Sequence, residues 1–376
     1  MELKDYRAQI DAVDDEIVRL FQERMDIAAN IAAFKKENGL PILQTARERE
    51  KLADVTGKAR EDMQSYLRVL YSLLFELSRT YQEKGTRTPL YEKIESAIEN
   101  TPRLFPRSAT VACQGVEGAY SQLACEKLFV TPSIQYFRNF EGVFSAIEAG
   151  FCRYGILPIE NSTAGSVNRV YDLMIEHNFS IVRSTRLKID HCLLAKPDHT
   201  QIKEIFSHEQ AINQCAGFLK SLGNVKITCC ENTAVAAQTV ALSERKDIAA
   251  LSSRMCAELY GLKVVQSSVQ DEGNNHTRFL CISKDTEIYP GADKTSVMLI
   301  LPHKPGALYK VLARLYALGI NLLKLESRPL PDRDFEFMFY LDLETSVYSE
   351  EFVQLMCEIG SICEEFKYLG SYTEVV

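Results

Sequence analysis

Residues 275–279, Asn275-His276-Thr277-Arg278-Phe279, place a hydroxyl, a guanidinium and an aromatic ring side by side at the start of the apolar run 279–282. A run of this kind alternates too little for a surface strand and predicts a buried one. Polar side chains at the start of a buried strand indicate a functional site. The alternative is that Thr277 and Arg278 only open a half-buried strand, with Phe279 in the core.

A second group of charged residues lies on an N-terminal helix. From Arg7 onward, the residues that would face inward recur every three or four positions, as one face of a long helix requires. They are Ile10, Val13, Ile17, Leu20, Phe21, Arg24, Ala28, Ile31 and Lys35. A charge that faces a core is costly unless it is paired, so we interpret Arg24 and Lys35 as directed towards a ligand. Alternatively, both extend along apolar surface to reach water at the end of a helical bundle.

The spacing of these cations favours a second copy of the chain. Along a straight helix, Arg7 lies roughly 25 Å from Arg24, and Lys35 lies roughly 16 Å further on. Arg7 and Arg24 of one helix therefore cannot contact the same small molecule. An antiparallel copy would bring Arg7 of one chain near Arg24 and Lys35 of the other, so we expect a homodimer or a higher homo-oligomer.

Composition restricts the class of protein. The 376 residues allow two or three domains, and 46% apolar with 25% charged residues is ordinary for a globular protein. The formal net charge of -8 argues against a nucleic-acid partner, so an anionic ligand would be held by a few placed cations. The start of the chain lacks the apolar segment of a secretory signal, and no segment is apolar enough for a membrane span. We expect a cytoplasmic protein without a membrane partner.

Cysteine and histidine usage indicates neither a disulfide framework nor a metal site. The eleven cysteines are scattered without a C-x-x-C pair, so we expect reduced thiols in the core. The six histidines form no H-E-x-x-H motif and no cluster with cysteines. No G-x-G-x-x-G motif follows a predicted strand, which argues against a nicotinamide site. We expect no metal and no other cofactor.

Changes of pattern along the chain predict a multidomain protein. Helical periodicity, then prolines, then alternating strands and helices succeed one another. The predicted parts are an all-α module (residues 1–88), a linker (89–107), an α/β domain of two lobes with mostly parallel strands (108–286) and an α+β, ferredoxin-like module of order βαββαβ (294–376). Within the first part, Thr45 and Glu48 are predicted to form a capping box that opens the second helix.

Small polar residues follow several predicted strands of residues 108–286. Open α/β sheets bind ligands at the carboxyl ends of their strands, so these positions predict a cleft. The polar residues there are Glu160, Asn161, Ser162 and Thr163 in the first lobe, and Ser207, His208, Gln214, Asn232 and Thr233 in the second. Taken alone, His208 would more often be a capping or surface histidine.

The helical module resembles the all-helical chorismate mutase domain over nearly its whole length. The matching residues are Arg7, Arg24, Lys35, Arg47, Glu48, Ser78 and Gln82. The resemblance implies that these residues bind chorismate. Its arginines would hold the two carboxylates, while Lys35 and Gln82 would hydrogen-bond the ether oxygen as negative charge develops on it. A pericyclic rearrangement needs compaction and charge complementarity rather than an acid, base or nucleophile. Gln44 stands where some relatives carry an Asp that contacts substrate, so that role is not carried over.

Residues 108–286 resemble prephenate dehydratase. The resemblance rests on Gly115, Gly118, residues 158–161, Gly165, Ser207, His208, Gln214, Cys215, residues 232–234 and residues 277–279. It implies a bilobal domain like that of periplasmic binding proteins, in which prephenate loses CO₂ and its ring hydroxyl to give phenylpyruvate. Aromatisation supplies the driving force, so the enzyme must mainly protonate the leaving hydroxyl and hold the carboxylate able to depart.

The same resemblance implies roles for individual residues. Thr277 would contact the departing hydroxyl, with Glu160 as acid or polariser and Arg278 supporting it or binding a carboxylate. Which group delivers the proton stays open at this stage. The other residues expected to bind prephenate are Asn161, Ser162, Thr163, Ser207, His208, Gln214, Asn232, Thr233 and Phe279. Val116 and Glu209 replace prolines that are frequent in relatives, which puts loop shape in doubt.

Residues 294–376 resemble the ACT domain that terminates these dehydratases. The matching residues are Gly306, Ala307, Leu308, Val311, Leu312, Glu326, Ser327, Arg328 and Pro329. The resemblance implies L-phenylalanine as an effector that binds between domains of paired chains and inhibits the enzyme. A glycine allows an amino acid to approach the backbone closely. The alternative for this module is dimerisation by sheet extension.

Together these resemblances cover residues 3–376 and imply a P-protein, the family that joins chorismate mutase, prephenate dehydratase and an ACT regulator in one chain. Two alternatives remain open. The bilobal domain could be a small-molecule sensor without catalysis, or the helical module could serve dimerisation alone. Measuring prephenate and phenylpyruvate formation from chorismate, with and without phenylalanine, distinguishes them.

Overall fold

The chain consists of two compact units, Met1–Pro89 and Leu90–Val376. The computed structural model describes residues 2–40, 44–83, 89–330 and 336–376. The first unit is helical, and the second combines strands and helices. The break falls at the start of the predicted linker, whose helical segment belongs almost wholly to the second unit.

The first unit is built from α1 (Leu3–Glu37), α2 (Thr45–Lys58), a 3₁₀ turn (Glu61–Met63) and α3 (Gln64–Glu83). Both α1 and α2 pack on α3. Only the C-terminal part of α1 is covered, where Met25 and Ala28 are buried. The predicted capping box is wrong: Gln44 precedes α2, Thr45 is its first residue, and the carboxylate of Glu48 accepts a hydrogen bond from Arg79 on α3.

Apolar residues of α1 that we predicted to face inward are exposed in the single chain. Ile10, Val13 and Ile17 retain 57% or more of their accessible surface, and Leu20 retains 49%. The stripe is continuous along the N-terminal half of the helix. Contiguous apolar surface of this kind marks an interaction site in a soluble domain.

The helices of the second unit are α4 (Pro89–Asn100), α5 (Tyr120–Leu128), α6 (Phe140–Glu148), α7 (Asn168–Glu176), α8 (Glu209–Gln214), α9 (Ala216–Ser221), α10 (Thr233–Leu242), α11 (Arg254–Leu259), α12 (Ala307–Ala317) and α13 (Glu350–Ile362). Helices α8 and α9 are two short helices that meet at Cys215. Helix α4 is not a free linker, because Ile94 and Ala97 are buried in the same apolar cluster as strand and helix residues of the C-terminal module.

The strands are β1 (Thr110–Gln114), β2 (Ser133–Phe137), β3 (Tyr154–Asn161), β4 (Gly165–Ser166), β5 (Ser180–Lys188), β6 (Cys192–Ala195), β7 (Glu204–Ser207), β8 (Lys226–Cys229), β9 (Ile248–Ser252), β10 (Lys263–Gln266), β11 (His276–Ser283), β12 (Lys294–Ile300), β13 (Asn321–Pro329), β14 (Phe337–Glu344) and β15 (Glu365–Val375). They form two sheets.

The two lobes each contain a sheet with helices against it. In the first lobe the strand order is β5-β11-β3-β1-β2, and in the second it is β10-β6-β9-β7-β8. Both sheets are mixed, since β1 pairs with β2 and β3 in parallel whereas β11 pairs with β3 and β5 antiparallel. The prediction of mostly parallel strands is therefore wrong. The chain passes between the lobes twice, from β5 to β6 and from β10 to β11.

The C-terminal module has the predicted order β12-α12-β13-β14-α13-β15 and the sheet order β13-β14-β12-β15. Its last strand also pairs in parallel with β5, so that this module and the first lobe share one continuous sheet. Gly370 lies at the join, where a Cβ would be 2.2 Å from the carbonyl oxygen of Ile181. Only glycine allows this approach of two backbones.

Candidate active sites

The helical unit holds a partly buried cation where α1 meets α3. The guanidinium of Arg24 donates to the hydroxyl of Ser78 and, at 3.2 Å, to the carbonyl of Leu74. It also lies 5.8 Å from the ring centroid of Phe75. Burial lowers the pKa of Arg24, which indicates a guanidinium withdrawn from water. An anion that reached it would interact in a medium of low dielectric constant.

Two further predicted residues are Glu48 on α2, which contacts α3, and Gln82 on α3 itself. The carboxylate of Glu48 pairs with Arg79, which follows Ser78 directly. The amide oxygen of Gln82, one turn further, is buried without a hydrogen-bond partner among the described residues. An unpartnered buried amide is costly, so a ligand at this position would satisfy it. Lys35 is half-buried.

Arg7 and Arg47 are not part of this cluster in the single chain. Arg7 is exposed near the N-terminus of α1, remote from Arg24 as the helix length requires. Arg47 pairs with Glu50 at 2.8 Å, and 65% of its side-chain surface is exposed. The structure thus brings together Arg24, Glu48, Ser78 and Gln82 and leaves the two other arginines outside.

In the second unit, the register of β3 and β11 sorts the predicted residues between two faces. Thr277 lies opposite Asn161, and Arg278 lies opposite Glu160. Because successive residues of a strand face opposite sides of the sheet, Thr277 and Asn161 share one face and Arg278 and Glu160 share the other. Thr277 and Asn161 are therefore on the opposite face of the sheet from Arg278 and Glu160.

On the first face, the side chain of Asn161 organises the hydroxyl of Thr277. Its amide nitrogen donates to Thr277 Oγ1 at 2.8 Å and to Asn275 Oδ1 at 2.7 Å. Its oxygen accepts from the backbone N–H groups of Thr163 (3.1 Å) and Ala164 (2.9 Å). Backbone N–H groups can only donate, so they determine which end of the Asn161 amide faces Thr277.

A cavity of about 580 Å³ adjoins this network. It is lined by Thr163, Ala164, His208, Glu209, Gln210, Asn213, Gln214, Gln270, Asp271, Glu272 and Asn275. None of these described lining residues is Lys or Arg. An anionic ligand here would therefore be held by hydroxyl, amide and backbone donors rather than by a permanent cation.

On the opposite face, Arg278 is enclosed, and its two terminal nitrogens are hydrogen-bonded. They donate to Asp342 at 2.5 Å, to Tyr372 at 2.8 Å and to Glu160 at 3.3 Å, and the residue is 5% exposed. Its Nε is buried without a hydrogen-bond partner among the described residues. Burial alone would lower the pKa of Arg278, but Tyr372 and Asp342 outweigh burial and raise it. These contacts argue against direct binding of a substrate carboxylate by Arg278, whereas its other predicted role, a supporting one, stays a prediction.

Glu160 is likewise held as a carboxylate away from Thr277. Lys324 of β13 donates to its second oxygen at 2.6 Å. Burial alone would raise the pKa of Glu160, but the hydrogen bonds and charges of Lys324 and Arg278 prevail and lower it. A carboxyl group with a depressed pKa is ionised at neutral pH and has no proton to donate. This charge state argues against Glu160 as the acid, whereas its other predicted role, as a polariser, stays a prediction.

The remaining predicted residues differ in how they relate to the cavity. Phe279 is 2% exposed in an apolar cluster, as in the alternative that placed it in the core, and its contact with substrate stays a prediction. Ser207 is fully buried and donates to the carbonyl of Leu251. Ser162 bonds the backbone of Asn274 and His276. Asn232 caps α10 by accepting from the backbone N–H of Val235, and Thr233 is the first residue of that helix.

The predicted effector residues lie at the start of α12 and along β13. Gly306 has φ +81° before α12, and a Cβ there would meet no atom within 4 Å. Alternation along β13 points Glu326 and Arg328 inward and leaves Ser327 and Pro329 exposed. Glu326 accepts from Ser166 at 2.5 Å, and Arg328 forms a two-pronged ion pair with Asp172 on α7. Ala307 and Leu308 are partly buried at the start of α12.

Several residues of these networks were not predicted: Arg79, His191, Lys324, Asp342 and Tyr372. Each is an ordinary residue of its helix, strand or loop, and its partner is 23 to 164 positions away in the chain. Asn275 opens the stretch that we singled out, yet we assigned it no role. Asp342, in the otherwise apolar run 337–343, was a detectable signal.

The described residues contain no group of three or more His, Cys, Asp or Glu side chains able to hold a metal ion. No helix within the described ranges is both long and apolar enough to cross a membrane. The described cysteines are free thiols, most of them buried.

The fold and these clusters define a two-unit protein with a bilobal ligand-binding domain, a separate all-α domain and a C-terminal βαββαβ module. Residues 111–287 match the family model of prephenate dehydratase, and residues 6–83 match that of chorismate mutase type II. The bifunctional chorismate mutase/prephenate dehydratase of Escherichia coli (strain K12) is 31% identical over 97% of this chain and 95% of its own length.

Solved structures are similar over the C-terminal part. Prephenate dehydratase from Arthrobacter aurescens in complex with L-Phe has a TM-score of 0.65 and 26% identity, covering 70% of this chain and 90% of that chain. GqqA, described as a novel type of quorum quenching acylase, has a TM-score of 0.65 and 31% identity, covering 71% of this chain and 98% of that chain.

The chain belongs to the family of bifunctional chorismate mutase/prephenate dehydratases. It is an enzyme with two activities, an isomerase that converts chorismate to prephenate and a lyase that converts prephenate to phenylpyruvate.

The Arg278–Asp342 pair gives a prediction about stability. Asp342→Ala leaves Arg278 buried without its closest carboxylate and with only the longer contact to Glu160, and we expect it to lower the free energy of unfolding by about 3–5 kcal/mol. The double variant Arg278→Met/Asp342→Leu removes both charges and is expected to lose less than Asp342→Ala alone. Urea denaturation followed by circular dichroism measures both. As a control, Glu231→Gln breaks the exposed Arg138–Glu231 pair and leaves the midpoint unchanged. A double variant that is less stable than Asp342→Ala would contradict the assignment.

Proposed function

We propose that each unit carries one of the two reactions at the cluster described above. Dehydratase chemistry is assigned to the face of β3 and β11 that carries Asn161 and Thr277. Mutase chemistry is assigned to the Arg24, Ser78 and Gln82 cluster together with Lys35. The observation that carries the dehydratase assignment is the hydrogen bond from Asn161 Nδ2 to Thr277 Oγ1 beside a cavity of substrate size.

The polarity of that hydrogen bond explains why a neutral hydroxyl can serve as donor. The oxygen of Thr277 accepts from Asn161, so its own proton remains available to the ring hydroxyl of prephenate. Accepting one hydrogen bond strengthens a hydroxyl as a donor in the next. As the C–CO₂ bond breaks, its electron pair enters the ring and the C–OH bond breaks. The leaving oxygen takes up a proton that solvent ultimately supplies and departs as water. Thr277 would stabilise the charge that develops on this leaving oxygen.

The described lining of the cavity includes the carboxylates of Glu209, Asp271 and Glu272 but no Lys or Arg, and the lack of a cation suits the second half of the reaction. One carboxylate of prephenate must leave as CO₂, and it loses its negative charge in doing so. An arginine bound to it would stabilise the substrate more than the transition state and raise the barrier. Amide donors such as Gln214, whose Nε2 already bonds Thr163 Oγ1 at 2.8 Å, orient an anion with less stabilisation of its charge. Ser162, Ser207, His208, Asn232 and Thr233 remain proposed substrate-binding residues near this cleft.

Replacing Thr277 tests this site. We expect Thr277→Ala to lower the turnover of prephenate to phenylpyruvate by at least about 10²–10³-fold, because the group that stabilises the leaving oxygen is lost. Thr277→Ser keeps a hydroxyl and should retain more activity. Chorismate consumption by the same variant is the internal control and should equal that of the parent. Rapid phenylpyruvate formation by Thr277→Ala would refute the assignment, and loss of both activities would indicate misfolding.

For the mutase, we propose that a second chain completes the site. The cluster in one chain contains Arg24 but not Arg7, and the apolar stripe between them is exposed. An antiparallel α1 from a second chain would cover that stripe and place its Arg7 beside Arg24. The amide nitrogen of Gln82 and the charge of Lys35 would then face the ether oxygen of chorismate. This requires the Gln82 amide to turn, so that its nitrogen takes the place of the oxygen that is buried without a partner among the described residues. Glu48 would orient the site through Arg79, and Arg47 would join it only by leaving Glu50.

Mixed dimers test this arrangement. Arg7→Ala and Lys35→Ala should each lower mutase turnover by roughly 10²–10³-fold, since each removes one charge from the site. If the site combines Arg7 of one chain with Lys35 of the other, mixing the two variants restores about a quarter of the sites after random exchange. Lys36→Ala, next in sequence and exposed, is the matched control and should keep full activity. Mixtures that stay inactive would exclude a shared site.

We also propose that the C-terminal module is an ACT domain that binds L-phenylalanine and inhibits the dehydratase. Support comes from its βαββαβ order and from the similar Arthrobacter aurescens enzyme, which was solved with L-Phe. The open space at Gly306 allows an amino acid to approach the backbone. Inhibition requires that the effector bind one arrangement of the protein more tightly than another.

Gly306→Val tests the effector site, since its side chain would project into the open space. We expect the phenylalanine concentration for half-inhibition of the dehydratase to rise about tenfold, the factor for a loss of 1.4 kcal/mol. Gly319→Val is the matched control, because Gly319 also has a positive φ (+66°) and an open Cβ direction but lies at the other end of α12. Equal shifts in both variants, or tyrosine acting as well as phenylalanine, would contradict the proposal.

A further inference from the structure

His191 lies in the segment that joins the two lobes, between β5 and β6. It is 2% exposed, and its backbone oxygen accepts from Val269 in the second crossing segment at 2.9 Å. Its backbone N–H donates to Gln270 Oε1 at 3.0 Å. The residue thus lies where both connections between the lobes run side by side. No resemblance or motif singled it out.

The imidazole of His191 ends a chain of amide hydrogen bonds that begins at Asn161. Asn161 Nδ2 donates to Asn275 Oδ1 at 2.7 Å, and Asn275 Nδ2 donates to Gln214 Oε1 at 3.0 Å. His191 Nε2 lies 3.1 Å from the same oxygen of Gln214. An amide oxygen can accept from both neighbours, but it cannot donate to either. The chain therefore requires a proton on Nε2.

The orientation of each side-chain amide in this series of hydrogen bonds follows from the groups at the two ends of the series. At one end, the backbone N–H groups of Thr163 and Ala164 bind the oxygen of Asn161. At the other end, Nε2–H of His191 binds the oxygen of Gln214. Gln214 must then direct its amide nitrogen outward, where it donates to Thr163 Oγ1 at 2.8 Å beside the cavity.

We propose that His191 is a positioning residue of the dehydratase, which holds Gln214 with its amide N–H towards an anionic substrate. Without a donor at Nε2, the bond from Asn275 Nδ2 is the one remaining hydrogen bond to the Gln214 oxygen among the described residues. A half-turn of Gln214 then becomes less costly, and it would present this oxygen to the substrate carboxylates. The two orientations are nearly equal in shape and opposite in polarity. The inference rests on the dehydratase site proposed above and assigns to that site a residue with no expected contact to substrate.

The environment of His191 fits a donor that stays neutral. Burial lowers the pKa of His191, and the hydrogen bond to Gln214 and the charge of Asp190 only partly oppose burial. Nδ1 is buried without a hydrogen-bond partner among the residues described. A proton on Nδ1 would therefore be left unsatisfied, which favours the Nε2–H form of the neutral ring. The ring of Tyr120 packs edge-on against it with centroids 6.3 Å apart.

Three replacements of His191 test the proposal by dehydratase kinetics in the full-length enzyme. His191→Leu and His191→Asn remove the donor at the Nε2 position, and each is expected to lower kcat/KM for prephenate about 10- to 100-fold, mainly through KM. His191→Gln reaches the same position with an amide N–H and should restore kcat/KM to within about threefold of the parent. The Asn and Gln variants form a polar pair, so the comparison survives if the Leu variant folds poorly.

A double-mutant cycle separates positioning from a general structural effect. If His191 acts through Gln214, His191→Asn should lower kcat/KM less than about twofold further in a Gln214→Ala background. Independent losses that multiply would overturn the proposal. So would equal activity of the Asn and Gln variants. Thr277→Ala, assayed in parallel, distinguishes failure of this inference from failure of the proposed dehydratase site. If Thr277→Ala is inactive while every His191 variant is fully active, only this inference fails.

Discussion

The pairing of β3 with β11 determines which residues of the dehydratase unit can take part in chemistry. Its register places Thr277 opposite Asn161 and Arg278 opposite Glu160. Because neighbouring residues face opposite sides of a sheet, one register assigns the hydroxyl and the amide to the cleft and both charges to the interior. A shift by one residue would exchange the two sets and place a buried ion pair in the substrate cavity. The functional site therefore depends first on strand register.

The interior face of β3 and β11 is joined to the C-terminal module by ion pairs and hydrogen bonds. On the interior face, Arg278 joins β11 to Asp342 and Tyr372 of the C-terminal module, and Lys324 joins that module to Glu160. Charges removed from water are tolerated because they are paired and hydrogen-bonded. The continuous sheet from β5 to β15 runs beside these pairs. A structural change in the C-terminal module can thus shift the strands that carry Asn161 and Thr277, because buried ion pairs and backbone pairing connect the two.

The helical unit follows a different principle. Its cation cluster is partly buried within one chain, whereas the apolar stripe of α1 is exposed from Ile10 to Leu20. A pericyclic rearrangement gains from a dry site in which charge faces the developing negative oxygen. In a single copy, the apolar stripe of α1 stays open to water. Association and catalysis are therefore expected to depend on the same apolar surface in this unit, while the second unit builds its cleft from one chain.

Local patterns in the sequence determined the elements: β11 is a buried central strand, and the C-terminal module has its predicted order. Motifs also singled out Thr277, Asn161 and Gln214, which the structure joins in one hydrogen-bond network. Sequence could not assign faces beyond the strand, so it did not predict that Glu160 would pair with Arg278 and Lys324 on the face opposite Thr277. Nor could it find His191 or Lys324, whose partners are distant in the chain. Periodicity and capping are local properties, whereas strand register, burial and the direction of an amide are decided only when distant segments pack together.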